Sequence, residues 1–506
     1  MYFSNNKLQS SLATNNIFLW PPLAFVIKIL FVMYMLSAAH ANDLYDDSFI
    51  NYLVFEAKDY VYFIKPAQRY FTDSLLTYQG NGIPFAGRMP GYSFPYILLR
   101  YLFAHNTALT LLIVAQIALS AISIYWVALS AKLFYKKDIA FYVAFVIYAF
   151  ANITTAFDFQ TMTESFAVSS CCGFMFFMFK YFLQQKENKH LIAAGFFAMW
   201  TIFLRPFMGV IIVIVPIILA IFSFREKQRI FVTIKSIFCF LVCFVVAETA
   251  WITRNYLALH KFVPLETNIT ESYGKLYSKA WIEIRTLTTT LGESAAYFEP
   301  NTMAAWFKGR TDTSKSVYFQ FKTNKLQRLT YNKDSLLWLK KNYLKFHAET
   351  NKKVEAQLET TCINTALRYK KEYEQKNKLN IYIKFPLVRL KNYLFASGSG
   401  YLLLPAPAQM QWHQLAIKIM QSLLYYFILL FGIFSFISLL LNIKKCNALQ
   451  WLLLLCTLAN IAVIVLWADI QENRYLLLVM PFIFLLGLQP IIKILERIGA
   501  NRVMVK

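Results

Sequence analysis

The chain has 506 residues, of which 58% are hydrophobic and 15% charged. A soluble domain carries about 25% charged residues, so a single water-soluble core is excluded. Lys and Arg number 51 against 27 Asp and Glu, a formal charge of +24, and they bunch between apolar runs. That bunching favours a membrane surface over nucleic acid, with a general lysine bias behind part of the excess. The seven cysteines follow no disulfide or zinc spacing and read as packing thiols; Cys171 and Cys172 are adjacent, and Cys239 and Cys243 lie one helical turn apart.

A helix crosses the hydrocarbon core with about 20 apolar residues. The first such segment runs from about Ile17 to Ala39 and ends in Ala39-His40-Ala41, which resembles a signal-peptidase site. The many spans that follow favour an uncleaved anchor. Lys28 falls in its middle and must snorkel or find a partner. Asn42 to Gly91 is too polar to span. It interleaves Asp43, Asp46, Asp47, Glu56, Asp59 and Asp73 with Tyr and Phe, a pattern suited to helices at an interface. Tyr92 to Phe103 is expected to dip into the membrane without crossing. Further spans are predicted near 107–134, 138–156, 164–184, 190–205, 207–224 and 230–252, then 415–441, 448–468 and 475–494. Pro206 separates two of them, because helices tend to end before proline.

The expected architecture is an all-α polytopic membrane protein with about ten spans and a mainly α-helical extracytoplasmic insert. Its parts are residues 1–253, with an outer loop at about 40–92, the insert at 254–414, and the closing spans at 415–506. In the insert, Val354, Leu358, Ile363, Leu367 and Tyr373 approximate one helix face. Pro386 to Phe395 mixes Arg389 and Lys391 with leucines and suits a membrane surface. The short basic connections, such as Lys136-Lys137 and Lys444-Lys445, fall on one side when the first span runs outward. Both termini are then cytoplasmic, and Asp59, Asp158, Arg254 and Arg474 fall outside.

No Walker loop, paired-histidine zinc helix or nucleophile elbow is present. The chemistry therefore has to come from charges that the membrane makes expensive. Four clusters qualify: Asp59 to Arg69 with Arg88-Met89-Pro90-Gly91-Tyr92; Asp158 to Glu164; Leu204-Arg205-Pro206; and Trp251 to Tyr256 together with Glu472-Asn473-Arg474-Tyr475. Any one of them reads as solvated anchors at span ends. Together they set carboxylates and arginines on one membrane face. Such a cavity suits transfer from a lipid phosphate, since arginine grips phosphate oxygens bidentately and stays charged. A carboxylate takes the proton of an incoming hydroxyl, and the phosphate leaves without a general acid.

At these residues the sequence resembles the GT-C superfamily of membrane glycosyltransferases, in particular the bacterial dolichyl-phosphate-mannose–protein mannosyltransferase and aminoarabinose transferase group. Asp59, Tyr62, Ala67 and Arg88 to Tyr92 match its first-loop run, Thr163-Glu164 its span start, Leu204-Arg205-Pro206 its Arg-Pro element, and Arg474-Tyr475 with Pro481 its final span. The resemblance covers about two thirds of the chain. It implies a polyprenyl-phosphate sugar donor, a glycan, lipid or protein acceptor, and an extracytoplasmic active site in a bacterial inner membrane. It makes Asp59 the base, with Asp46 and Asp47 as rivals, and Glu164 a ligand of the acceptor or of a divalent metal ion. It gives Arg88, Arg205, Arg254 and Arg474 to the donor phosphate, and Tyr62, Tyr92, Asp158 and Glu472 to the acceptor. No closed metal-ligand set is visible, and some members of the superfamily need no ion. The rival readings are a transporter or flippase, a non-catalytic envelope assembly protein, and a glycan ligase with a pyrophosphate donor.

Overall fold

The computed structural model describes residues 19–41, 49–51, 53–57, 59–74, 76–77, 85–151, 155–184, 186–266, 275, 278–293, 302–309, 329–470 and 472–504. The protein is an all-α polytopic membrane protein. In chain order, α1 (Trp20–Ala41) leads to a two-stranded hairpin, β1 (Phe49–Asn51) and β2 (Val54–Phe55). Short helices α2 (Tyr60–Phe63), α3 (Lys65–Asp73) and α4 (Ser93–Leu102) follow. The next run is α5 (His105–Tyr135), α6 (Asp138–Phe150), α7 (Glu164–Leu183), α8 (Asn188–Leu204), α9 (Ile211–Arg225) and α10 (Ile230–Leu259). Then come α11 (Lys279–Thr290), α12 (Met303–Phe307), α13 (Lys333–Ala348), α14 (Lys352–Lys376) and α15 (Phe385–Leu394). The chain closes with α16 (Trp412–Leu441), α17 (Ala448–Ala462) and α18 (Met480–Met504).

Each of the ten segments expected to span is helical over most of its described residues. Among the described residues seven helices are both long and apolar enough to cross: α1, α5, α7, Pro206–Arg225, α10, α16 and Ala448–Trp467. The segment from 138 stops at Phe150, short of the expected 156, and α10 runs on to Leu259, past the expected end at 252. Arg254 therefore sits on the last turns of a helix and not at the start of a polar insert.

The chain divides into two compact units. The first comprises Met1–Thr267, Ser397–Asn460 and Arg474–Lys506. Many polar side chains of its spans are buried, as expected where lipid covers the outside. Gln116, Ser120, Ser123 and Lys132 of α5 are all buried. Lys28 meets Asp158 at 3.1 Å, the partner its burial demanded. Small residues let backbones approach: a Cβ on Gly195 of α8 would lie 2.0 Å from the Phe240 carbonyl oxygen of α10.

The second unit comprises Asn268–Ala396 and Ile461–Asn473. Its core gathers Trp281, Leu287, Trp306, Leu339, Tyr343 and Phe346. Asn332 forms a capping box with Ser335 at the start of α13, and the Asn351 side chain accepts from the Lys353 and Val354 amides at the start of α14. The buried face of α14 is Cys362, Thr365, Ala366, Tyr369 and Tyr373. Of the apolar face expected here Tyr373 is fully buried, Leu358 and Ile363 are half-buried, and Val354 and Leu367 are exposed. Within the segment expected at a membrane surface, Pro386 to Phe395, Arg389 is buried and ion-paired with Asp469.

Candidate active site

The segment ahead of Asp59 is stitched to the segment ahead of Glu164. Phe55 donates its amide to the Phe159 carbonyl at 3.0 Å and accepts from the Thr161 amide at 3.1 Å. The Ala57 amide donates to Thr161 Oγ1 at 3.2 Å. The segment 157–161 is itself nailed to the bundle. Gln116 Nε2 of α5 donates to the carbonyls of Phe157, Asp158 and Gln160 at 2.7, 3.1 and 3.1 Å. Asp158 accepts from Ser120 at 3.0 Å and Ser165 at 2.5 Å as well as facing Lys28. A loop with so many buried acceptors needs this many donors, because each unmet one costs about 1–3 kcal/mol. The outcome is that Asp59, the residue that caps the start of α2, comes close to the first residue of α7, Glu164. A carboxylate at a helix N-terminus is favoured by the macrodipole.

Two arginines close on those carboxylates. Arg205 ends α8 just before Pro206, whose ring cannot continue the helix, and its guanidinium is ion-paired with Glu164. Arg474 Nη1 lies 3.0 Å from Asp59 Oδ2 and 3.7 Å from Glu164 Oε1. Both guanidinium carbons sit 5.3 Å from the centroid of the same Tyr475 ring, which Phe207 supports edge-on at 5.0 Å. Five residues from four separate stretches thus form one alternating array of charge on an aromatic platform. Glu164 and Arg205 are nearly sealed, at 3% and 10% side-chain exposure, whereas Asp59 is 29% exposed. The array is anchored at Glu164 and opens at Asp59.

The Arg88-Met89-Pro90-Gly91-Tyr92 run packs onto the end of α8. A Cβ on Gly91 would come within 2.6 Å of the Phe203 backbone, so only glycine fits. Trp200 Nε1 donates to the Gly91 carbonyl at 3.0 Å. Arg88 turns away from the array: its Nη1 is 3.1 Å from both oxygens of Glu266, and its guanidinium lies over Tyr62 at 5.7 Å. Tyr62 shares the Asp59 turn, donating its amide to the Asp59 carbonyl at 2.9 Å. Glu266 is held in turn. Leu265, at φ 53, has its amide on Glu248 at 2.7 Å and its carbonyl on Trp251 Nε1 at 2.6 Å. Such a φ is uncommon for leucine and persists because α10 fixes both sides of the residue.

Other expected roles meet a different geometry. Asp158 is fully buried with both oxygens engaged, so it braces the frame and does not face an acceptor. Tyr92 is buried and donates to Gln116 Oε1 at 3.2 Å. Burial, with Glu164 nearby, pushes its hydroxyl pKa well above the ordinary range and keeps it neutral. Burial also raises the Glu56 carboxyl, against the lowering pull of Tyr60 and Lys65. Arg254 donates to the Phe85 carbonyl and Asn255 Oδ1, both at 2.9 Å, a structural use. Glu472 is half-buried and belongs to the second unit, and Asp46 and Asp47 lie outside the described residues. Among the described residues no three His, Cys, Asp or Glu side chains gather to hold a metal ion. Where Asp59 and Glu164 approach each other, the cation between them is Arg474.

Gln116, Glu248 and Glu266 went unread in the sequence. The first two carried a usable signal, a polar or acidic residue inside an apolar span. Glu266 lies in a polar stretch where nothing distinguishes it.

No protein-family model matches the chain, and no curated protein matches it either. Among solved structures it is similar to the crystal structure of ArnT from Cupriavidus metallidurans in the apo state. That likeness covers 94% of this chain and 77% of that one, at 12% identity and a TM-score of 0.34. At that identity and score it carries no residue roles across.

Proposed function

We propose that the protein is a glycosyltransferase that moves a sugar from a polyprenyl-phosphate donor to a hydroxyl-bearing acceptor at the outer face of the membrane. The observation that carries this reading is the pair of guanidiniums stacked on Tyr475, locked from behind by Glu164, with a more open carboxylate, Asp59, at the front edge.

A guanidinium fork matches phosphate oxygens as it matches a carboxylate. Donor phosphate competes with Asp59 for Arg474, and its arrival releases the Asp59 carboxylate. The acceptor hydroxyl then attacks the sugar C1 from the face opposite the phosphate. The bond from C1 to the phosphate oxygen breaks, and its electron pair stays on the phosphate. The acceptor proton passes to Asp59. Arg205 and Arg474 stabilise the charge that develops on the leaving phosphate. One displacement inverts the anomeric centre, and the order of binding is donor first.

To test this, purified protein and its Asp59→Asn variant are incubated in lipid nanodiscs with a panel of polyprenyl-phosphate sugars and an envelope extract as acceptor source. Mass spectrometry follows free polyprenyl phosphate. The expected result is release by the wild type and at least a hundredfold slower release by the variant, in line with the usual general-base contribution. Equal release by both removes Asp59 as base. Release by neither, with binding of the intact donor, favours the transporter reading.

A further inference from the structure

We propose that the segment from Leu379 to Leu394 of the second unit is an in-plane membrane anchor, bedding its apolar side in the lipid and setting its lysines among anionic headgroups. The observations are independent of the proposed chemistry.

The segment is a π-helical turn, Asn380–Lys384, running straight into α15. Pro386 explains the wide turn, since it has no amide to give the preceding turn. One side of α15 belongs to the unit: Phe385, Arg389 and Tyr393 are buried. Arg389 is ion-paired with Asp469 and donates to the carbonyls of Thr289 at 2.7 Å and Glu293 at 3.3 Å. The opposite side is apolar and uncovered. Leu379 is 70% exposed, Tyr382 72%, Ile383 52% and Leu387 59%. Lys378, Lys384 and Lys391 are exposed alongside them.

The height of this surface follows from its contacts inside the same unit. α15 packs against Val463–Trp467, the closing turn of the span Ala448–Trp467. Asp469, the partner of Arg389, lies two residues beyond that span. Two residues of extended chain reach at most about 7 Å, so it stands within that distance of the helix end. Trp467 itself is 87% exposed, as an aromatic at the membrane boundary is. The uncovered leucines and isoleucine are thus held level with the end of a membrane span. Apolar residues with interspersed lysines at that level fit an anionic lipid surface. The ion pair to Asp469 keeps them there.

The test places the photoreactive residue benzoylphenylalanine at position 387 or 383 of the full chain, in nanodiscs of mixed phosphatidylglycerol and phosphatidylcholine. Phe434, 66% exposed on the span α16, is the lipid-facing control, and Lys352, with an 89% exposed side chain, the water-facing one. Mass spectrometry identifies the adducts. Lipid adducts at 387 and 383, in yields within about threefold of position 434 and absent at 352, are expected. Replacing Lys384 and Lys391 by Gln should lower the phosphatidylglycerol share of those adducts at least twofold. The proposal fails if 434 labels lipid and 387 does not, or if 387 crosslinks to protein instead. An unchanged phosphatidylglycerol share overturns the headgroup assignment.

Discussion

Replacing Lys28 by Met should be among the most damaging single changes in the membrane unit. The ammonium and the Asp158 carboxylate are 3.1 Å apart, with side chains 2% and 0% exposed. At an effective dielectric constant of about 20 their attraction is about 5 kcal/mol. The burial of both ions offsets part of this, and removing one partner of such a pair costs about 3–5 kcal/mol because the other charge is stranded. In Lys28→Met the Asp158 carboxylate keeps the Ser120 and Ser165 hydroxyls and loses its counter-charge. The double variant Lys28→Met with Asp158→Asn removes both charges and should recover most of the loss. Reversible unfolding in mixed detergent and dodecyl sulfate micelles, followed by tryptophan fluorescence, gives the cycle. A coupling above about 2 kcal/mol is predicted. Losses that simply add, within about 0.5 kcal/mol, refute the claim that this pair braces the loop ahead of Glu164.

Gly91→Ala drives a methyl into the Phe203 backbone and should lower stability by about 1–3 kcal/mol, read in the same unfolding assay, with donor turnover falling in step. Gln116→Leu leaves three buried carbonyls without their shared donor, and unfolding should register a loss of at least about 2 kcal/mol. Arg88→Gln breaks a half-exposed pair with Glu266, so stability should change by no more than about 1 kcal/mol. Donor turnover by that variant should stay within about tenfold of wild type, because Arg88 stands outside the array; a larger fall would place it on the donor.

The helices were legible because lipid imposes a simple rule: apolar runs of sufficient length span, and Pro206 and the polar connections mark their ends. Lys28 was legible as a charge in need of a partner, but the identity of that partner was not. Asp158 looked like an outer-face group by its place in the chain, and only the folding of 157–161 under Gln116 and Ser120 turns it inward. Asp59, Glu164, Arg205 and Arg474 were each legible as costly charges. Their convergence on Tyr475 was not, since it depends on pairing between stretches more than 100 residues apart, such as Asp59 with Arg474. In the second unit the burial of Arg389 was not legible for the same reason: its partner Asp469 is 80 residues away.

In the proposed reaction Arg205 and Arg474 together hold a lipid phosphate. Native mass spectrometry of the purified protein with polyprenyl phosphate measures this most directly, comparing wild type with Arg205→Lys and Arg474→Lys. Lysine keeps the charge near Glu164 and Asp59 but loses the planar fork. Each variant should bind at least about tenfold more weakly, the loss of one charge-assisted bond of about 1.5–3 kcal/mol, and the unphosphorylated polyprenol should bind all three alike and weakly. Undiminished binding by both lysine variants, or equal binding of polyprenol and its phosphate by the wild type, would rule out this arginine pair as the phosphate site.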